Sequence, residues 1–252
     1  MPIIISGIEH LEQGQRERVH DKLLDIIVET FVDPADSDFI SARFMALNHQ
    51  KRPFFWPALQ AIEKYLKALL LSHGVSVRGK RFGHKIVAMS ERLDGYDDVL
   101  KNLRLTPVPE HEELRRLDLW GSEDPFEFIR EIEKYGLASN RYNFWGANFE
   151  ASCLPKLDQL VFALRSRCVG TRALKGVGRN EKLDYYAYEQ NYPFAPSSYN
   201  QGEFWGKFVV GQEVPSIEAA LKGLYGHPAV FQRWLTDNID LSEDEVAKIA
   251  GR

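Results

Sequence analysis

Eight consecutive residues, Arg78-Gly79-Lys80-Arg81-Phe82-Gly83-His84-Lys85, carry the densest chemistry in the chain. Four cations and a histidine occur there without one acid. The two glycines let the backbone come close to a phosphate. The stretch lacks the GxxxxGK[ST] spacing, so it is not a P-loop. It reads either as a phosphate-contacting loop or as a solvated connector whose His84 caps the next helix. A second basic cluster, Arg165, Arg167, Arg172, Lys175, Arg179 and Lys182, has only Glu181 as counter-charge, and reads as a charged connector or a second phosphate cradle. Arg141 and Tyr142 stand beside Phe144 and Trp145, rings that either stack on a base or fill the end of a bundle.

Metal and cofactor chemistry find no pattern. His111 adjoins Glu112 and Glu113, but consecutive helical residues point apart and no HExxH occurs. Glu131 with Glu133, or Asp97 with Asp98, would form acid–base pairs only through tertiary structure. The two cysteines, Cys153 and Cys168, lack CxxC spacing and suggest a reducing compartment. No metal and no cofactor is expected.

The elements that must position these groups are helical. Phe55, Leu59, Ile62, Leu66, Leu69 and Leu70 recur at three- and four-residue spacing, predicting a central amphipathic helix over Phe54–His73. Gln60, Glu63, Lys64 and Lys67 fall off its apolar face, Pro53 and Pro57 are expected in its first turn, and Gly74 is its stop. Val19, Leu23, Ile27 and Phe31 predict a helix over roughly 18–32. Asp33-Pro34 reads as a cap opening a helix on Ile40, Phe44 and Leu47, which should pair with the central helix as an antiparallel hairpin through Lys51-Arg52-Pro53. Helices are further expected over Ile86–Leu93, Asp97–Leu105, 111–119, from Asp124-Pro125 to Gly136 with Phe126, Ile129 and Ile132 inward, and over 155–167. Residues 170–210 are rich in aromatics and read as an irregular but ordered extension. Short helices near 216–224, 228–237 and 243–250 close the chain, and residues 2–8 read as an extended arm.

At 252 residues, 44% apolar and 27% charged, the composition is that of a globular protein. A net charge of −4 confines any nucleic-acid surface to a local patch. No apolar run reaches membrane-spanning length, and the start has no secretory pattern, so a cytoplasmic protein away from membranes is expected.

Residues 36–168 carry a further pattern: SDFISARFMALN, an aromatic-Pro step, QAIEKYLKALLLSHG, Gly83-His84 opening the next helix, and Arg141-Tyr142 before the last long one. This resembles the HEPN superfamily of helical nucleotide-binding domains. The resemblance implies an all-α, up-and-down bundle over 36–168; the arm and helix over 1–35 and the aromatic-rich C-terminal extension over 169–252, read from composition and pattern, lie outside it. It also implies a homodimer, and a nucleotidyltransferase or antitoxin partner in a toxin–antitoxin, defence or stress system. The ribonuclease branch of that family places a histidine a few residues after an arginine near the last helix. Here Arg141 is followed by Tyr142-Asn143-Phe144-Trp145 and no His. Three readings follow. The first is a nucleotide- or RNA-binding module using Arg78, Lys80, Arg81, His84, Lys85, Arg141 and Tyr142. The second is a metal-independent ribonuclease with an atypical set, Arg141 and His84. The third is a dimeric protein-interaction scaffold.

Overall fold

The computed structural model of the chain describes residues 8–79, 82–106, 122–140, 149–150, 152–169 and 228–242. Residues 2–7 of the arm expected over 2–8, the helices at 111–119, 216–224 and 243–250, and the aromatic stretch 170–210 lie outside the described residues. What is described is helical, with one isolated antiparallel bridge, Leu105 to Glu123, and no strand among the described residues. The all-α expectation holds.

The helices are α1 (Gln13–Ile27), α2 (Asp33–Leu47), α3 (Lys51–Ser72), α4 (Ile86–Leu93), α5 (Pro125–Gly136), α6 (Cys153–Val169) and α7 (Pro228–Asn238). Helix α3 is the hub, packing against α2, α4, α5 and α6. Leu59, Ile62, Tyr65, Leu66 and Leu69 are all fully buried on it. Each large apolar side chain so buried contributes about 1.5–3 kcal/mol of transfer free energy. Helix α3 starts at Lys51, three residues earlier than its apolar period suggests, so Pro57 lies inside the helix rather than in its first turn. Its end follows the sequence expectation closely. Gly74 takes φ +74°, its N–H reaches Leu71 O at 3.0 Å, and the Val75 N–H reaches Leu70 O at 2.8 Å. These are the two bonds of a Schellman stop.

The α2–α3 hairpin is antiparallel, since Asp36 meets Tyr65 while Asp38 meets Lys64. Its turn, however, is Asn48-His49-Gln50, and Lys51–Pro53 already belong to α3. His49 makes the same stop without a glycine. It sits at φ 57°, its N–H bonds to Ala46 O, and the Gln50 N–H bonds to Met45 O.

The junction before α2 departs from expectation. Asp33 does not cap a new helix; it is itself helical at φ −60°, ψ −44°. A π-helical turn, Val28–Val32, joins α1 to α2 without a break. The wide turn falls just before Pro34, the residue with no N–H to give to an α-helical bond. Asp36 lies in the first turn of α2. It is buried, where it accepts both Nε and Nη2 of Arg165 at 3.1 to 3.2 Å and the Tyr65 hydroxyl. A second buried pair, Arg43 with Asp158, also ties α2 to α6.

Three further corrections concern faces and ends. In α5 the fully buried ring is Phe128, with Ile129 and Ile132, while Phe126 is half-buried. Gly136 is the last residue of α5 and is needed for close approach: a Cβ there would stand 2.7 Å from both Leu59 Cβ and Phe55 O of α3. The stretch Asp97–Leu105 forms turns, not a helix. The Asp97 carboxylate takes the Val99 N–H at 2.9 Å and is drawn inward by Arg167, and Leu105 is claimed by the bridge to Glu123. The Asp124 cap of α5 is as expected, accepting from the Phe126 N–H at 2.8 Å.

Helix α1 and helix α7 both join this core. Val19 and Leu23 from one, and Trp234, Leu235 and Ile239 from the other segment, belong to the same buried cluster as α3.

Candidate functional site

The basic loop leaves α3 at Gly74 and is pinned by two buried side chains, Val77 and Phe82. Gly79 and Gly83 adopt φ +94° and +49°, left-handed values that fit their reading as backbone-permissive positions. Lys80 and Arg81 lie outside the described residues, as do Arg141 and Tyr142. Arg78 donates through Nη1 to the Thr236 carbonyl at the end of α7, 2.7 Å away. Lys85 is exposed and directly precedes α4.

His84 turns the other way, to α3. Its Nδ1 lies 2.7 Å from Glu63 Oε2, with the imidazole about half exposed (51%) and the Glu63 side chain 5% exposed. Arg78 and His84 are therefore held by different elements, α7 and α3. His84 does not cap α4, whose first turn has no capping side chain of its own. The Val87 N–H is taken instead by Glu133 Oε2 of α5, at 2.8 Å.

Glu63 is the residue that organises this edge, and it is not on a solvated face. Besides His84 it accepts from Lys67 Nζ at 2.7 Å and from Gln60 Nε2 at 3.4 Å. Gln60 in turn approaches Lys64, which pairs with Asp38 of α2. Burial pushes the Asp38 carboxyl up, and the bond from Lys64 only partly opposes this. The Trp56 ring meets the His84 imidazole edge to face, with centroids 5.8 Å apart. The result is a continuous polar edge on the most buried helix, ending in a half-exposed histidine.

A buried carboxylate on Nδ1 fixes the orientation of an imidazole and leaves Nε2 to give or take a proton. No described residue bonds His84 Nε2. Trp56 adds an aromatic surface beside it. Lys64 and Lys67 are each paired with a carboxylate, whereas on the loop Asp240 lies against the Gly79 N–H next to Arg78 and Lys85 is exposed.

The other candidates separate. Arg165 and Arg167 are not free cations of a connector. Arg165 is buried on Asp36, while Arg167 holds Asp97 at 2.8 Å and Asp98 at 3.2 Å. The remaining members of that cluster, Arg172 to Lys182, lie outside the described residues. Asp97 and Asp98 are thus ion-pair partners, not an acid–base pair. Burial raises the Asp97 carboxyl, but bonds from Arg167, the Val99 N–H and His73 outweigh it and hold the group below the ordinary range. Glu133 is committed to α4, and Glu131 is pushed up by burial. His111, Glu112 and Glu113 are outside the described residues. Burial pushes the Cys153 thiol up to about 11 and raises Cys168 as well, so neither is a ready thiolate. No group of three or more His, Cys, Asp or Glu fit for a metal occurs among the described residues, and no described helix is long and apolar enough to cross a membrane.

Sequence reasoning missed Glu63 and Trp56. Glu63 carried a signal only toward Lys67, at i, i+4; its contact with His84 spans twenty-one positions and needs the fold. Compared with known protein families, curated proteins and solved structures, the chain finds no match.

Proposed function

We propose that this protein is a nucleotide- or RNA-binding helical module of the HEPN type, with ligand phosphates at the basic loop around Arg78 to Lys85. The supporting observation is the loop itself. Two glycines at left-handed φ, exposed Lys85 and half-exposed His84 occur within seven positions, and His84 lies beside the Trp56 ring on the edge of the bundle's central helix. Phosphates are drawn by the loop cations, and a base has an aromatic surface to stack on. In this reading Arg141 and Tyr142 also contact the ligand, and the module works as a cytoplasmic homodimer beside a nucleotidyltransferase or antitoxin.

A second reading has one observation of its own. The Glu63–His84 contact is the arrangement a general acid–base histidine needs, which favours a metal-independent ribonuclease built on His84.

The test is anisotropy of a fluorescein-labelled single-stranded RNA 12-mer, titrated at several salt concentrations. Replacing Arg81 and Lys85 together with alanine should weaken binding and flatten the dependence of log Kd on log salt, with little change in thermal stability. Binding equal to the parent at every salt concentration removes the loop from the ligand site. Cleavage of the same RNA in EDTA, abolished by His84→Ala, would establish the ribonuclease reading; intact RNA in the parent's presence rejects it.

A further inference from the structure

Four successive residues of the loop all donate to one short segment. Ser76 Oγ reaches Asp237 O at 3.0 Å, the Val77 N–H reaches Asn238 O at 3.2 Å, and Arg78 Nη1 reaches Thr236 O at 2.7 Å. The Gly79 N–H lies 2.9 and 3.0 Å from the two carboxylate oxygens of Asp240. In each of these four contacts the donor comes from the loop and the acceptor from residues 236–240. The acceptors are, moreover, negative: helix carbonyls at the C-terminal end of α7, where the macrodipole is negative, and one full carboxylate beyond it.

A row of backbone and guanidinium donors is what a loop offers a phosphate. We propose that Ser76–Gly79 is a phosphate subsite, for a phosphodiester or a nucleotide phosphate, and that Asp240 with the end of α7 fills it as an internal stand-in. The proposal rests on the loop being the phosphate-binding element. Its consequence is competition. A bound phosphate must take the Gly79 N–H from Asp240 and the Arg78 guanidinium from Thr236, loosening residues 236–242 from the loop. Trp234, Leu235 and Ile239 remain buried in the core and keep the segment attached nearby. Asp240 is exposed, so a phosphate can reach its position from solvent.

Asp240→Ala removes the charged occupant without touching a donor. Asp237→Ala removes an equal charge from the same segment; that carboxylate faces Arg233, not the loop. Both are compared with the parent in binding the 12-mer RNA and, separately, ATP, and hydrogen exchange of residues 228–242 is followed in the parent with and without each ligand. Competition predicts about three- to tenfold tighter binding for Asp240→Ala, the net worth of one ordinary hydrogen bond at an exposed position, with a smaller effect for Asp237→Ala. It also predicts faster exchange over 236–242 in the liganded parent. The arm in which this occurs, RNA or ATP, identifies the source of the phosphate. If both variants gain equally, the effect is general charge and the stand-in role is overturned. If ligand binds but the variants match the parent and exchange is unchanged, the stand-in role falls while the binding function stands. If neither ligand binds any of the three proteins, both are overturned.

Discussion

Gly136→Ala is the substitution for which two familiar effects oppose each other and the geometry decides the sign. Within a helix, alanine is favoured over glycine by about 0.5–1 kcal/mol. Gly136 has no left-handed φ to lose, so by backbone propensity alone the change would stabilise. Its added Cβ, however, would lie 2.7 Å from Leu59 Cβ and 2.7 Å from the Phe55 carbonyl oxygen. Ordinary contact begins at 3.4 Å, so α5 must retreat from α3 by about 0.7 Å. Neither obstacle is the free end of a flexible side chain. Phe55 and Leu59 are both essentially fully buried, and the retreat would loosen the Phe55–Tyr135 ring contact at 5.1 Å. Overpacking of this kind costs roughly 1–3 kcal/mol, occasionally more. The net expectation is a loss of about 1–2 kcal/mol, or a fall in Tm of about 2–8 °C at this chain length. Urea denaturation followed by circular dichroism measures it. Gly14→Ala is the control, since its Cβ meets nothing within 4 Å and it should be neutral or slightly stabilising. A Gly136→Ala protein as stable as that control would refute the close approach of α5 to α3.

Two further outcomes follow from the buried charges. Asp36→Ala leaves Arg165 buried without its carboxylate and should cost about 3–5 kcal/mol, whereas Asp36→Leu combined with Arg165→Met should recover much of that; urea midpoints of both decide, and a single mutant as stable as the parent would exclude the pairing. Asp97 has a lowered folded-state pKa, so the unfolded chain takes up more protons as pH falls. Its stabilisation is therefore present above about pH 4 and lost on acidification. Asp97→Asn should be less stable than the parent at pH 7 and should approach it as the pH falls below the ordinary carboxylate range; a gap independent of pH would contradict this.

How much of this was legible beforehand depended on whether a signal was local. Helix α3 was, because its period and its Gly74 stop lie within one stretch of chain. The Asp124-Pro125 cap was, for the same reason. Asp33-Pro34 carries the same local signature yet sits in a continuous helix, because the π turn Val28–Val32 runs α1 directly into α2 and falls where Pro34 has no N–H to give. Asp97–Leu105 has helical composition, but Arg167 and the bridge partner Glu123 set its backbone. The candidate site divides in the same way. The glycines, cations and His84 of the loop were visible. Glu63, which holds His84, looked like a solvated helix residue, because nothing near it in sequence says that another loop folds over it. His49 ends α2 in a conformation that composition assigns to glycine, so composition alone puts the turn three residues late.

The π turn at Val28–Val32 bears on phase. Val19, Leu23, Ile27, Phe31, Ala35 and Phe39 are spaced by four and all are buried. In an unbroken α-helix each step of four advances about 40° around the axis, so five steps would carry the stripe about 200°, to the opposite side. One wide turn winds part of that advance back. It is thus a phase corrector that lets a single rod of two helices present one apolar line to α3. Removing one residue from Val28–Val32 would restore ordinary winding and turn the line of α1 away from the core, although no contact-making side chain need be deleted.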